Sequence, residues 1–128
     1  MNAITTNGIT VSVRTQFLPE HSNPAAQKFI FGYLISIENG SPYTVQLLRR
    51  HWLIFDSKGI VREVEGEGVV GEQPVIPPGG QHEYTSFCDL GSEMGKMRGT
   101  YLMVRQGDDY HFKVNIPEFS MVAPQKLN

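Results

Sequence analysis

Alternation of apolar and polar positions first becomes clear at Ile9. Ile9, Val11, Val13, Thr15 and Phe17 fall on one side, and Thr10, Ser12, Arg14 and Gln16 on the other, a period of two that predicts a half-buried strand. Pro19, Asn23 and Pro24 then interrupt any ladder between Leu18 and Gln27, because proline fixes φ and removes a donor. From Lys28 to Glu38 the residues Phe29, Phe31, Tyr33, Ile35 and Ile37 share one face, while Ile30 and Leu34 make the reverse face partly apolar, as expected of a central strand. Asn39, Gly40, Ser41 and Pro42 form a turn, and the chain returns from Thr44 to Asp56 with Leu48, Trp52 and Ile54 expected in the core. A bulge near Arg49 would change that phase.

Ser57, Lys58 and Gly59 predict a tight hairpin into a strand from Ile60 to Glu65. Gly66, Gly68, Gly71, Pro74, Pro77, Pro78, Gly79 and Gly80 then make the stretch from Gly66 to Gly80 a long loop with no inner strand. Further strands are expected at Gln81 to Leu90, Met97 to Gln106 and Tyr110 to Ile116, the last two joined by a turn at Gly107, Asp108 and Asp109. Tyr84, Tyr101, Met103, Phe112, Val114 and Ile116 are the inward candidates. Pro117 to Asn128 reads as a tail that Pro117 and Pro124 keep out of any inner ladder. Its Phe119 and Met121 would lie across the parent domain or a neighbouring copy. Seven short strands with regular turn signals and no helical periodicity predict an all-β fold, a seven-strand antiparallel two-sheet sandwich, with a partly open barrel as the other arrangement.

At 128 residues the chain suits a single domain spanning 1–128, with a core from about residue 5 to 120. A formal charge of -2 leaves no basic surplus to neutralise a nucleic-acid backbone, so no nucleic-acid partner is expected. No apolar run is long enough for a membrane helix, and Met1 to Thr10 lacks the basic and apolar regions of a leader, which predicts a cytoplasmic protein with no membrane partner. Cys88 is the one cysteine, so no intramolecular disulfide can form, and packing must hold the fold.

The chemistry-bearing residues are few. Gly66, Gly68 and Gly71 satisfy the Gly-x-Gly-x-x-Gly pattern that lets a backbone approach phosphate, but Glu72, Gln73 and Pro74 stand where a dinucleotide site needs a helix. Two uses are open: a structural loop or protein contact, with Val69 and Val70 apolar and beside Pro74, or an anion nest, which needs Arg62 or the pair Arg49 and Arg50 close by to offset Glu65, Glu67 and Glu72. Glu63, Glu65 and Glu67 share a face, either as solvated charges guarding an edge strand or as oxygen ligands for a divalent cation, and the first is preferred. His21, His51, His82 and His111 show no ligand spacing, so no metal site is expected. Cys88 is expected as a buried structural thiol, and Ser86 and Ser92 lack the Gly-x-Ser-x-Gly setting of a hydrolase. No catalytic residue and no cofactor are expected.

Several ordered segments carry a resemblance. They are T-x-x-G-I-x-V-x-V from Thr5, R-R-H-W-L-I-F-D from Arg49, G-E-G-V-V-G-E-Q-P from Gly66, Y-T-S-F-C ending at Cys88, and M-R-G-T-Y-L-M-V from Met97 with F-x-V-x-I-P-x-F after it. Together they resemble the ApaG family over roughly residues 5 to 120. The resemblance implies a fibronectin type III-like sandwich, and a signature loop at Gly66, Gly68, Val69, Val70, Gly71, Glu72, Gln73 and Pro74. It also implies an association with cobalt resistance and magnesium efflux in bacteria, and an interaction role, since related domains occur in F-box proteins and in a DNA polymerase delta-interacting protein. Phe87 and Asp89 depart from the pattern, which has Gly and Pro there. The leading expectation is therefore a non-enzymatic module that presents this loop, or a sheet edge, to a protein partner or to a second copy in a homodimer. The alternative is binding of pyrophosphate or a nucleotide through Gly66 to Gly71, with Mg²⁺ and Arg62 assisting.

Overall fold

The computed structural model describes residues 2–124 as two antiparallel sheets packed face to face. The strands are β1 (Asn2–Thr6), β2 (Ile9–Phe17), β3 (Phe29–Asn39), β4 (Val45–Asp56), β5 (Val61–Glu67), β6 (Val75–Ile76), β7 (Gln81–Leu90), β8 (Met94–Arg105) and β9 (Tyr110–Val122). One sheet has the order β1-β2-β3-β7, and the other β5-β4-β8-β9, with β6 pairing with β4 beyond the end of β5. Two short 3-10 turns, Pro19–His21 and Pro24–Ala26, occupy the predicted loop after β2. No helix of the described residues is long and apolar enough to cross a membrane.

The expected sandwich stands, with nine strands in place of seven. The two additions are those that alternation cannot report. β1 is an edge strand whose side chains are almost all exposed, and β6 is two residues long. The β1–β2 connection is a tight turn in which Asn7 and Gly8 have φ of 50° and 81°, as a type I′ hairpin requires.

Inward residues of the two sheets meet in one core. Ile9, Val11, Val13, Phe31, Ile35 and Ile37 come from the first sheet, and Leu47, Trp52, Met97, Tyr101, Met103 and Val114 from the second. Each such side chain stabilises by roughly 1.5–3 kcal/mol before entropy is counted. Tyr33 crosses the layer to Trp52 and Phe119 with ring centroids 5.7 Å away in both cases, and Trp52 meets Phe119 edge-on at 5.9 Å. Of the expected inward residues, Tyr84 and Phe112 are half-buried at its margin.

Two expectations need correction. Leu48 is not a core residue: the register of β4 against β8 skips between Leu47 and Arg49, so Leu48 is the bulge, and Leu47 takes the buried place. Inward alternation then resumes at Arg50, Trp52 and Ile54. The segment after Ile116 is not a tail: β9 runs on to Val122, and Pro117, Phe119, Met121 and Ala123 are buried. Pro117 is accommodated because β9 is an edge strand and its register against β8 shifts between Met97 and Gly99, where a missing N–H costs no ladder bond. The last part of that predicted tail, residues 125–128, lies outside the described residues.

The long edges of the two sheets are tied to each other by polar contacts. On one flank Asn2 donates to the Glu118 carbonyl at 2.7 Å, and the Asn115 amide donates to Thr6 Oγ1 at 3.2 Å. On the other, Arg62 of β5 pairs with the Asp89 carboxylate of β7 at 3.2 Å.

Candidate functional site

β5 and β6 lie along the same edge of β4, opposite Arg49 to Phe55 and opposite Val45 and Gln46 respectively. Between them the chain leaves the edge at Gly68 and rejoins it at Pro74, so the glycine segment is an excursion from an otherwise continuous edge. Its tip is a minimal hairpin. The Val69 amide donates to the Glu72 carbonyl at 2.8 Å, the Glu72 amide donates back to Val69 at 3.0 Å, and Val70 and Gly71 between them have φ of 47° and 78°. Positive φ at both central residues is the mark of a type I′ turn, which asparagine and glycine favour and a β-branched residue disfavours.

The base of the hairpin is held by the β4 bulge. The Leu48 carbonyl accepts from the Gly68 amide at 2.8 Å and from Gln73 Nε2 at 3.0 Å, and the Leu47 amide donates to the Pro74 carbonyl at 3.0 Å. Arg50 reaches in from β4 and donates from Nη1 to the carbonyls of Glu67 and Gly68 at 3.0 and 3.1 Å. Two of the glycines are explained by these approaches. A Cβ on Gly66 would lie 2.9 Å from Arg50 Nη1, and one on Gly68, whose φ is 63°, would lie 2.1 Å from the Glu72 carbonyl oxygen.

The hairpin divides its two valines. Val69 is 1% exposed and belongs to the core, while Val70 is 64% exposed at the tip; along the same edge Ile76 is buried and Val75 stands in solvent. Of the two neighbouring valines, one caps the core and the other faces solvent. Glu72 points toward His82 of β7 at 3.8 Å, too far for a hydrogen bond, and His82 Nε2 is buried with no partner among the described residues.

Arg62 is not beside the glycines. It faces Ile54 near the opposite end of β5, where it meets Asp89 and the Cys88 sulfur at 3.8 Å, so it lends no charge to the hairpin. The amides of Gly68, Val69 and Glu72 are used within the protein, while those of Val70, Gly71 and Gln73 donate no hydrogen bond among the described residues.

Glu63 and Glu65 meet His51 on the outer face of the second sheet, with Nε2 to carboxylate distances of 2.5 and 3.4 Å. Glu67 is opposite Arg49 instead. One ligand atom from each of His51, Glu63 and Glu65 falls within 4.8 Å of the others. The three side chains form an exposed polar contact between β4 and β5, with donor atoms close enough together to share one cation. Cys88 is 5% exposed, and burial is the main cause that pushes its thiol up to about 11 despite the nearby Arg62, so it is a poor nucleophile at neutral pH. Burial also pushes the Tyr84 and Tyr101 hydroxyls, which hydrogen-bond each other, well above their ordinary range.

Of the arginines that sequence reasoning offered to the loop, Arg50 reaches it and Arg62 does not; what it missed was the meeting of His51 with Glu63 and Glu65, and the approach of His82, which depends on the separate sheet that carries it. A family model described as the ApaG domain matches residues 19–105. Protein ApaG of Nitrosomonas europaea is 47% identical over 120 residues, covering 94% of each chain, and that of Anaeromyxobacter dehalogenans is 46% identical over the full length of both. Among solved structures, the putative ApaA protein from Bordetella pertussis superposes with a TM-score of 0.87 at 43% identity, covering 91% of this chain and 94% of that one.

Proposed function

The chain belongs to the ApaG domain family, and from that premise we propose that it is a non-catalytic interaction module which offers the hairpin from Gly68 to Pro74 to a protein partner. The observation that carries this reading is Val70. A valine held at positive φ costs about 1–2 kcal/mol, and at 64% exposure it gains almost nothing from the core in return. The base of the hairpin is tied down through Leu48, Arg50 and Gln73, and Val69 and Glu72 bond each other across the tip, so the tip is presented in one shape before any partner arrives. Prior order of this kind lowers the entropy lost on association. On this reading the connection with cobalt and magnesium handling that the family resemblance implies is indirect and runs through the partner.

Affinity capture from native lysate with the wild type and with Val70→Asn tests it. Asparagine tolerates the same turn, so the variant keeps the hairpin and removes only its apolar tip. A partner bound through this tip should lose about tenfold in affinity. A capture set that Val70→Asn leaves unchanged, while Phe87→Ser on β7 depletes it, would move the contact surface to the sheet edge.

A further inference from the structure

Away from the hairpin, three turns converge at one end of the sandwich: Asn7–Gly8 between β1 and β2, Gly40 to Tyr43 between β3 and β4, and the β8–β9 connection. They enclose an open cavity of about 380 Å³, with Val45 and Phe112 among its walls and Tyr43, Arg105 and Tyr110 around its mouth. Tyr43 and Tyr110 are 46% and 53% exposed, unusual for large aromatic side chains outside the core.

The arrangement is built rather than incidental. The Arg105 guanidinium lies over Tyr43 at 4.1 Å and over Tyr110 at 4.9 Å, and Tyr110 stacks on Phe112 with an interplanar angle of 14°. Asp108 fixes one edge of the guanidinium through Nε, at 3.1 Å, and Nη2. The Tyr43 turn is anchored by Asn39, 1% exposed, whose side chain donates to the carbonyls of Tyr43 and Ile76 at 2.7 and 3.0 Å and accepts from the Ser41 amide at 3.0 Å. The Gly40 amide in turn donates to the Gly8 carbonyl at 2.8 Å, which joins the first two turns.

The hydroxyls of Tyr43 and Tyr110 and the Nη1 of Arg105 make no hydrogen bond among the described residues, so the mouth offers three donor groups beside an aromatic surface, the hydroxyls being able to accept as well. Asp108 neutralises Arg105, which removes the net positive charge that an anionic ligand would seek. An uncharged ligand, apolar in body and rich in acceptors, fits these groups. A polyproline II segment has these properties: its prolines lack N–H groups, its carbonyls point outward unpaired, and its shape is set before binding. We propose that the cavity between Tyr43, Arg105 and Tyr110 binds a proline-rich peptide segment in the polyproline II conformation. The site shares no residue with the Gly68 to Pro74 hairpin, so either assignment can fail without the other.

The test is a titration of isotopically labelled protein with acetylated octaproline, followed by amide resonances, with a Gly-Ser octapeptide as control. Shifts should concentrate at Gly8, Tyr43, Arg105 and Tyr110 and be absent with the control. Tyr43→Ala and Tyr110→Ala should each weaken binding about tenfold, and Tyr110→Phe, which keeps the ring and removes the donor, roughly fourfold. Both positions are exposed, and circular dichroism checks that the variants stay folded. Val70→Asn should bind octaproline as the wild type does. No shift at these residues at millimolar octaproline would overturn the proposal, as would equal shifts with the Gly-Ser peptide or stronger ones with inorganic phosphate. Resonances at the same residues that move on dilution without peptide would instead assign the cavity to a second copy offering its exposed Pro77 and Pro78, and would overturn it too.

Discussion

The larger sheet has two edges, and both contain residues that break strands, yet they behave in opposite ways. On one edge, Gly68 to Pro74 throws the chain out of the ladder as a hairpin before it rejoins at Val75. On the other, Pro117 stays inside the thirteen-residue β9, and a register shift absorbs it. The difference lies in the residues beyond the breaker. After Pro117, Phe119 and Met121 alternate with Glu118 and Ser120, so continuing the strand buries two large side chains. After Gly68, a continuing strand would bury nothing comparable, and Val69 alone turns inward.

Removing the apolar reward on the β9 side is the severest way to break this contrast. Phe119→Ala should destabilise the domain by about 3–5 kcal/mol, because it opens a cavity against Tyr33 and Trp52, as measured by urea unfolding. Next comes Gly68→Ala on the opposite edge. Positive φ and the closeness of the Glu72 carbonyl force the hairpin base to move, at a cost of about 2 kcal/mol. Its effect should be local: amide exchange should quicken from Gly66 to Pro74 while β9 keeps its protection. Equal loosening of both edges would show that the hairpin is a structural part of the core.

Acid should sharpen the same contrast. Burial alone would raise the Asp56 carboxyl, but the Ser92 hydroxyl, the Lys58 and Gly91 amides at 3.1 and 2.8 Å, and the Lys58 charge outweigh it and hold it below its ordinary value. A depressed carboxyl contributes stability that is complete above its unfolded value near ~3.9, and that contribution is lost as pH falls through the lower folded value. Asp56 clamps the turn that leads into β5, so β5 should loosen before β9 on acidification. Asp56→Asn should cost about 1 kcal/mol at pH 7, and the gap to wild type should close in acid. Thermal melts across pH read both effects.

Much of this fold is legible in alternation alone, because β2, β3 and β8 bury one face and expose the other. Legibility fails where pairing, and not burial, defines the strand. β1 gives no period because nearly every side chain is exposed, and the two-residue β6 exists only through its bonds to Val45 and Gln46. The glycine segment is recognisable in the sequence as a special loop, but its construction is not. Val69 and Val70 are identical neighbours, and only the backbone turn decides which one the core takes. Arg62 is near the glycines in sequence, but a strand separates residues at about 3.3 Å each, which carries it toward Asp89. The place beside the glycines goes to Arg50, which the β4–β5 register sets opposite Gly66.

The smallest expected effect is also the most discriminating. Val70→Asn replaces a β-branched residue at positive φ with one that favours it, so local strain falls and nothing buried is lost. The domain should gain about 0.5–1 kcal/mol, seen as a rise in Tm of roughly 2–4 °C. Few substitutions stabilise a protein while damaging its contacts, and that pairing separates the two accounts of the hairpin. If Val70 is there to be touched, the variant melts later and binds its partner less well. If the valine is needed to hold the turn, the variant melts earlier, and the contrast between the two edges reduces to packing.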